Sequence, residues 1–187
     1  RLARAAALAH HRPHGQAVPP PRAGLAQTLG LTNWTRGNPT LNSPSGALHR
    51  FLSAQAADYE IALSELRRGR KQSHWIWYVL PQLRGLGMSA MSYKYGIVGP
   101  VEARAYLEHS VLGARLRECV SAICAHKTAS AVDILGDIDA LKFRSCLTLF
   151  AAVDQESQLF HQALAQFFGG QPDHRTIQLL AALQGEA

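Results

Sequence analysis

Apolar residues in this chain recur mostly at intervals of three and four, the period of a helix that buries one face. The pattern begins at Leu48 and continues through Phe51, Tyr59, Ala62, Leu63 and Leu66, then stops at Leu66-Arg67-Arg68-Gly69, where Gly69 suits a C-terminal cap. Arg67, Arg68, Arg70 and Lys71 then favour the negative end of that helix. Trp75 to Leu80 is apolar on every face, and its helical neighbours favour a short buried helix that Pro81 ends. Leu83-Arg84-Gly85-Leu86-Gly87 reads as a loop whose glycines allow something to approach the backbone closely.

Further helices are expected over Ala90–Tyr95, from Gly99-Pro100 to about Glu108 with Glu102 near the positive end, and from Ser110 through Leu112, Leu116, Val120 and Ile123 or Cys124. Ser130 can cap a turn that ends at Gly136. Asp137 or Asp139 can cap a helix through Leu141, Phe143, Leu147 and Phe150. Leu159 to Phe168 closes at Gly169-Gly170, and Asp173 caps a last helix through Leu180 and Leu183. With no alternating run long enough for a sheet and no internal repeat, the pattern predicts an all-α irregular bundle of about six to eight helices, a single domain over residues 47–187.

Composition changes this picture only at the N-terminus. The chain has 187 residues, 47% of them hydrophobic, and a formal charge of +6. Residues 1–57 carry six arginines and no acid, while from Asp58 onward thirteen basic residues balance thirteen acidic ones. Residues 1–46, Ala- and Arg-rich and then rich in Pro, Gly and Ser, are expected to be a disordered basic extension or a targeting segment. The expected location is cytoplasmic, or an organelle matrix or stroma if residues 1–46 are a transit peptide. Pro13 interrupts the spacing of His10, His11 and His14, so no metal site is expected there. The longest apolar run, Trp75 to Leu80, is far too short to span a bilayer, and a neutral main domain argues against nucleic acid as a partner. Cys119, Cys124 and Cys146 form no CxxC pair and sit in apolar helical patterns, as free packed thiols do.

Several blocks resemble one family. Ser73-His74-Trp75-Ile76-Trp77, Pro81-Gln82-Leu83, Gly85-Leu86-Gly87 and Ser89 resemble the signature of the domain of unknown function 1810 family. So do Glu102 to Leu107, Leu112-Gly113 with Arg115-Leu116, Asp139 with Leu141-Lys142, Ser145 with Thr148 to Phe150, and Gly169-Gly170 with Asp173, Thr176 and Leu180. The resemblance covers roughly residues 48–182. It departs from the family's common pattern at Ser110-Val111, where a Pro often follows the His, and at Ile76, where Met is frequent. The resemblance implies an all-α fold and no settled activity.

Candidate chemistry rests on polar residues set among apolar ones. His74 and Gln82 flank the Trp75–Leu80 run and predict a core seam that meets a pocket, where each polar group needs a partner. His109 and Gln82 can each serve a helix end, and Ser145 and Thr148 can bond back to carbonyls one turn earlier. Lys142 shares a helical face with Ser145 and needs an anion: Asp137, Asp139, or a ligand phosphate or carboxylate. The favoured reading is a pocket for an anionic, nucleotide-like small molecule. Trp75, Trp77 or Tyr78 would form its wall, Gly85, Gly87 and Ser89 its loop, and Lys142 with Arg70 or Lys71 its charge. His74 would orient a hydroxyl or act as acid or base, with Gln82 and Ser145 as further polar contacts. No sequence signal identifies a cofactor. The alternative is a helical protein–protein interaction module that presents exposed aromatics.

Overall fold

The computed structural model describes residues 44–185 and forms nine helices in that span: α1 (Pro44–Arg67), α2 (Ile76–Val79), α3 (Ala90–Tyr95), α4 (Pro100–Glu108), α5 (Leu112–Cys124), α6 (Ala131–Leu135), α7 (Asp137–Val153), α8 (Gln158–Phe168) and α9 (His174–Gly185). The expected all-α bundle is the observed architecture. The short helices α2, α3 and α6 carry the number past the expected six to eight. The reading of residues 1–43 as disordered, and of His10, His11 and His14 as metal-free, lies outside the described residues. Pro44 to Gly46, expected to belong to that extension, instead form the start of α1.

Local chemistry explains most boundaries. Gly69 has φ +70°, its N–H donates to Leu66 O, and the His126 ring packs on it so closely that a Cβ there would lie 3.0 Å from Cε1. His126 Nε2 donates to Leu66 O at 2.8 Å, so the end of α1 is capped by a residue from the distant α5–α6 link. Ser130 and Asp133 form a reciprocal capping box at the start of α6. Asp173 accepts from Thr176 N at 2.9 Å and opens α9 as expected. The His109 side chain does not serve the end of α4, which its backbone N–H caps on Ala105 O; its Nδ1 accepts from the N–H groups of Val111 and Leu112, at the start of α5. Neither Asp137 nor Asp139 caps α7, whose N-cap is Gly136.

α7 is the central helix, packed by α4, α6, α8 and α9, while α1 packs on α2, α4 and α5. The predicted stripe Phe51, Tyr59, Ala62, Leu63 and Leu66 is buried, as are Leu112, Leu116, Val120 and Ile123 of α5 and Phe143, Leu147 and Phe150 of α7. Leu141 is the exception. It is 64% exposed and points away from the core its periodicity suggested. Cys119 and Cys146 are free and buried; desolvation pushes the Cys119 thiol up to about 12, and Cys146 well above its ordinary value, as for packed thiols.

α4 and α5 meet so tightly that a Cβ on Gly113 would stand 2.0 Å from Leu107 O. Gly113→Ala must separate the two helices and is expected to cost roughly 1–3 kcal/mol, read from urea denaturation midpoints.

Candidate functional site

Two groups of polar side chains meet around the link between α1 and α2. The first is centred on Glu65, which is 2% exposed at the inner edge of α1. Its Oε2 accepts from Gln72 N at 2.8 Å, Ser73 N at 3.0 Å and Trp75 Nε1 at 2.8 Å, and its Oε1 accepts from the Ser73 hydroxyl. Desolvation pushes this carboxyl up, but the N–H of Gln72, the hydroxyl and N–H of Ser73 and the Trp75 indole outweigh it and hold it down at about 2. Glu65 therefore fastens the link to α1 and satisfies the one polar atom of a tryptophan that is otherwise wholly buried.

The second group is centred on Asp139, in the first turn of α7. Lys71 Nζ lies 2.7 Å from its Oδ2 and Lys142 Nζ 2.7 Å from its Oδ1. Lys71 Nζ also donates to Ser73 O at 2.7 Å and lies 5.2 Å from the Trp75 ring centroid, while Lys142 Nζ lies 4.5 Å from that of Trp77. Burial pushes the Asp139 carboxyl up, and the hydrogen bonds and charges of the two lysines prevail, holding it below the ordinary aspartate value. The Lys71 side chain keeps 8% exposure, Asp139 16% and Lys142 20%. Ser73 joins the groups, its N–H and hydroxyl on Glu65 and its carbonyl on Lys71.

Trp75, Trp77 and Lys142 are thus brought together with Lys71, although Trp75 is a core residue and cannot form a ligand wall. Arg70 is exposed. His74 does not lie in a core seam: it is exposed in the turn before α2, and among the described residues only its carbonyl is engaged, accepting from the Tyr78 hydroxyl at 3.4 Å. The apolar run starts one residue later, so His74 is the last outward position before the chain turns in.

Gln82, Gly87 and Ser89 form a separate grouping around Ser92. Ser89 caps α3 by accepting from Ser92 N at 3.1 Å, and a Cβ on Gly87 would lie 3.0 Å from the Ser92 side chain and 3.8 Å from Gln82 Nε2. What approaches the glycine loop closely is this chain's own α3. Gln82 does not serve the end of α2; its carbonyl accepts from Ile97 N at 2.9 Å, beside the isolated Leu83–Ile97 bridge. Gly85, at φ +95°, faces Leu179 of α9. Ser145 is 7% exposed and donates back to Leu141 O at 3.2 Å, and Thr148 donates to Arg144 O while accepting from Asp173 N.

Concavities lined by described residues include one of about 490 Å³ between α7, α8 and α9, with Thr148, Ala151, His161, Leu164 and Ile177 in its walls. A pair of smaller ones shares Arg104 and Glu108. None of these has a predicted site residue in its lining. Among the described residues no group of three His, Cys, Asp or Glu side chains is placed to hold a metal ion, and no helix is long and apolar enough to cross a membrane.

The model of the family described as protein of unknown function (DUF1810) matches residues 45–180, which include both carboxylate centres and the glycine loop. The chain belongs to this family. It is similar to the crystal structure of the conserved hypothetical protein Rv1873 from Mycobacterium tuberculosis, with 44% identity over 77% of this chain and 99% of that one and a TM-score of 0.71. No curated protein matches. The DUF1810 resemblance expected from Ser73 to Ser89 is therefore membership, and the description carries no activity.

Glu65 and Asp139 organise this region, and neither is among the ligand contacts expected from the sequence. The signal for Glu65 was an acid three residues after Ala62 and beside Leu66, at the edge of the apolar stripe. For Asp139 it was the spacing to Lys142, which set Asp139 as an internal partner beside the ligand reading.

Proposed function

We propose that this protein binds an anionic, nucleotide-like small molecule on the face formed by Lys71, Trp77 and Lys142. The observation that carries the reading is Asp139, one carboxylate shared by two ammonium groups at 2.7 Å each. The triad keeps one positive charge beyond what it neutralises, at a place where solvent reaches it only in part, and such a charge favours a further anion. Glu65 lies on the other side of Ser73, where its carboxylate accepts from four neutral donors. Trp77, half-buried beneath Lys142, fixes the ammonium and supplies an apolar edge beside it. Arg70, next in the chain to Lys71, adds an exposed cation. The expected His74 contact is retained in the proposal as an outer one, since its ring faces solvent.

A thermal-shift series on the full chain with ADP, ADP-ribose, NAD and inorganic phosphate tests this. Binding to the native state raises the melting temperature by mass action, by about 2.7 kcal/mol of stability at a hundredfold excess over Kd. At least one nucleotide is expected to raise it, with the rise lost in Lys142→Gln and kept in Arg104→Gln. No rise with any of the four, or an equal rise in Lys142→Gln, overturns the proposal.

A further inference from the structure

Arg84 is a half-buried cation with no acid partner among the described residues. Its guanidinium makes no hydrogen bond or ion pair with any described residue, and its Nε is shut off from solvent without an acceptor. An arginine this confined normally has a carboxylate or carbonyl partner. Arg50, whose Nε likewise lacks an acceptor, differs in that its other guanidinium nitrogens bond to Glu102 and to Gly96 O.

The unpaired guanidinium is also held in place. Arg84 N donates to Ile97 O at 2.8 Å, which fixes its backbone beside the Leu83–Ile97 bridge. Gly96 lies so close that a Cβ there would stand 2.8 Å from Arg84 Cα and Cβ, which confines the stem. The guanidinium carbon lies 4.7 Å from the Tyr93 ring centroid, so the planar group rests on an aromatic face. A guanidinium oriented in advance loses little freedom when it donates to a carboxylate in a bidentate pair.

The segment that carries Arg84 has no acid and presents exposed apolar side chains. Tyr93 is 68% exposed, Met88 wholly so and Val98 53%, and Met88 follows Gly87, whose backbone abuts Ser92 next to Tyr93. Residues 66–101 contain no Asp or Glu, and Lys94, next in the chain to Tyr93, is a second exposed cation. The next acid, Glu102, is engaged by Arg50 and by Val98 N at 2.8 Å.

We propose that Arg84, Tyr93 and Met88 form a docking surface for an acidic peptide segment of a partner protein, with a carboxylate on the Arg84 fork and apolar side chains against Tyr93 and Met88. Charge complementarity selects an acidic partner. Openness fits a peptide, because an extended segment spreads over exposed Tyr, Met and Arg. This surface is independent of the Lys71–Lys142 face.

Fluorescence polarisation on the full chain tests it, with a fluorescein-labelled peptide alternating Glu and Leu and a counterpart of the same length carrying Gln for Glu. Saturable binding of the Glu peptide alone is expected. Arg84→Ala and Arg84→Lys should each weaken it about tenfold, the lysine because it lacks the fork, and Tyr93→Ala should weaken it as well. Lys142→Gln should leave it unchanged, which separates this surface from the nucleotide reading. Melting temperatures establish that each variant is folded. No saturable binding of the Glu peptide, equal binding of the Gln peptide, or an affinity within twofold of wild type in folded Arg84→Ala overturns the proposal. So does a site that inorganic phosphate fills, as shown by the Arg84 Nε–H resonance, while the peptide does not bind.

Discussion

Glu65→Ala is expected to destabilise the fold by roughly 4 kcal/mol, lowering the melting temperature by about 10–15 °C. The substitution removes the acceptor of Gln72 N, Ser73 N and Trp75 Nε1 together, and the indole is wholly enclosed. Each orphaned buried donor costs about 1–3 kcal/mol, and the cavity left by the carboxylate adds to that. Glu65→Gln should cost less. Its amide oxygen can take the three bonds now made by Oε2, and its NH₂ can donate to Ser73 Oγ once that hydroxyl turns round. Urea denaturation of the three proteins at pH 7 gives the order wild type, Glu65→Gln, Glu65→Ala.

The same carboxylate gives a pH signature of fixed sign. Its pKa is lowered to about 2 in the folded protein from 4.5, so its stabilisation is complete above about 4.5 and is lost as the pH falls towards 2. The stability difference between wild type and Glu65→Gln is therefore expected to narrow between pH 4.5 and pH 2 and to stay constant from pH 5 to pH 8. A difference that widens in acid would contradict this account of Glu65.

Asp139→Asn is expected to cost about 3 kcal/mol, because it leaves two ammonium groups facing one amide whose NH₂ repels the second of them. Neutralising Lys142 in the same chain should return part of that loss, giving a coupling of about 1–3 kcal/mol in a double-mutant cycle. Inorganic phosphate should raise the melting temperature of Asp139→Asn more than that of wild type, since the variant lacks the internal anion that phosphate can replace. An equal response in both proteins would mean that the lysines only brace α7 against the link.

The helices were legible because their apolar faces repeat: Phe51 to Leu66, Leu112 to Ile123 and Phe143 to Phe150 are buried as their spacing suggests. Capping chemistry gave Gly69, Ser130, Gly169 and Asp173 their places. Residues at the edges of stripes were less legible, because an edge position reads the same whether it faces a partner or water. His74 and Leu141 turned outwards there, whereas Glu65 turned inwards. Contacts between distant segments left no local trace: His126 on Leu66 O joins residues far apart in sequence, as does Lys71 on Asp139. Gly87 showed only that something comes close, and its neighbour proved to be Ser92. Arg84 lay in full view within the glycine loop, but its lack of a partner left no trace in the sequence, since Arg67 and Lys71 of the same acid-free stretch find Glu118 and Asp139.

Calorimetric titration of the full chain with ADP and, separately, with adenosine tests the anionic-ligand reading most directly. The account predicts saturable one-to-one binding of ADP that weakens as salt is raised and is lost in Lys142→Gln, with adenosine giving no saturable heat. Equal binding of adenosine and ADP, or the absence of ADP binding by the folded protein, would contradict it.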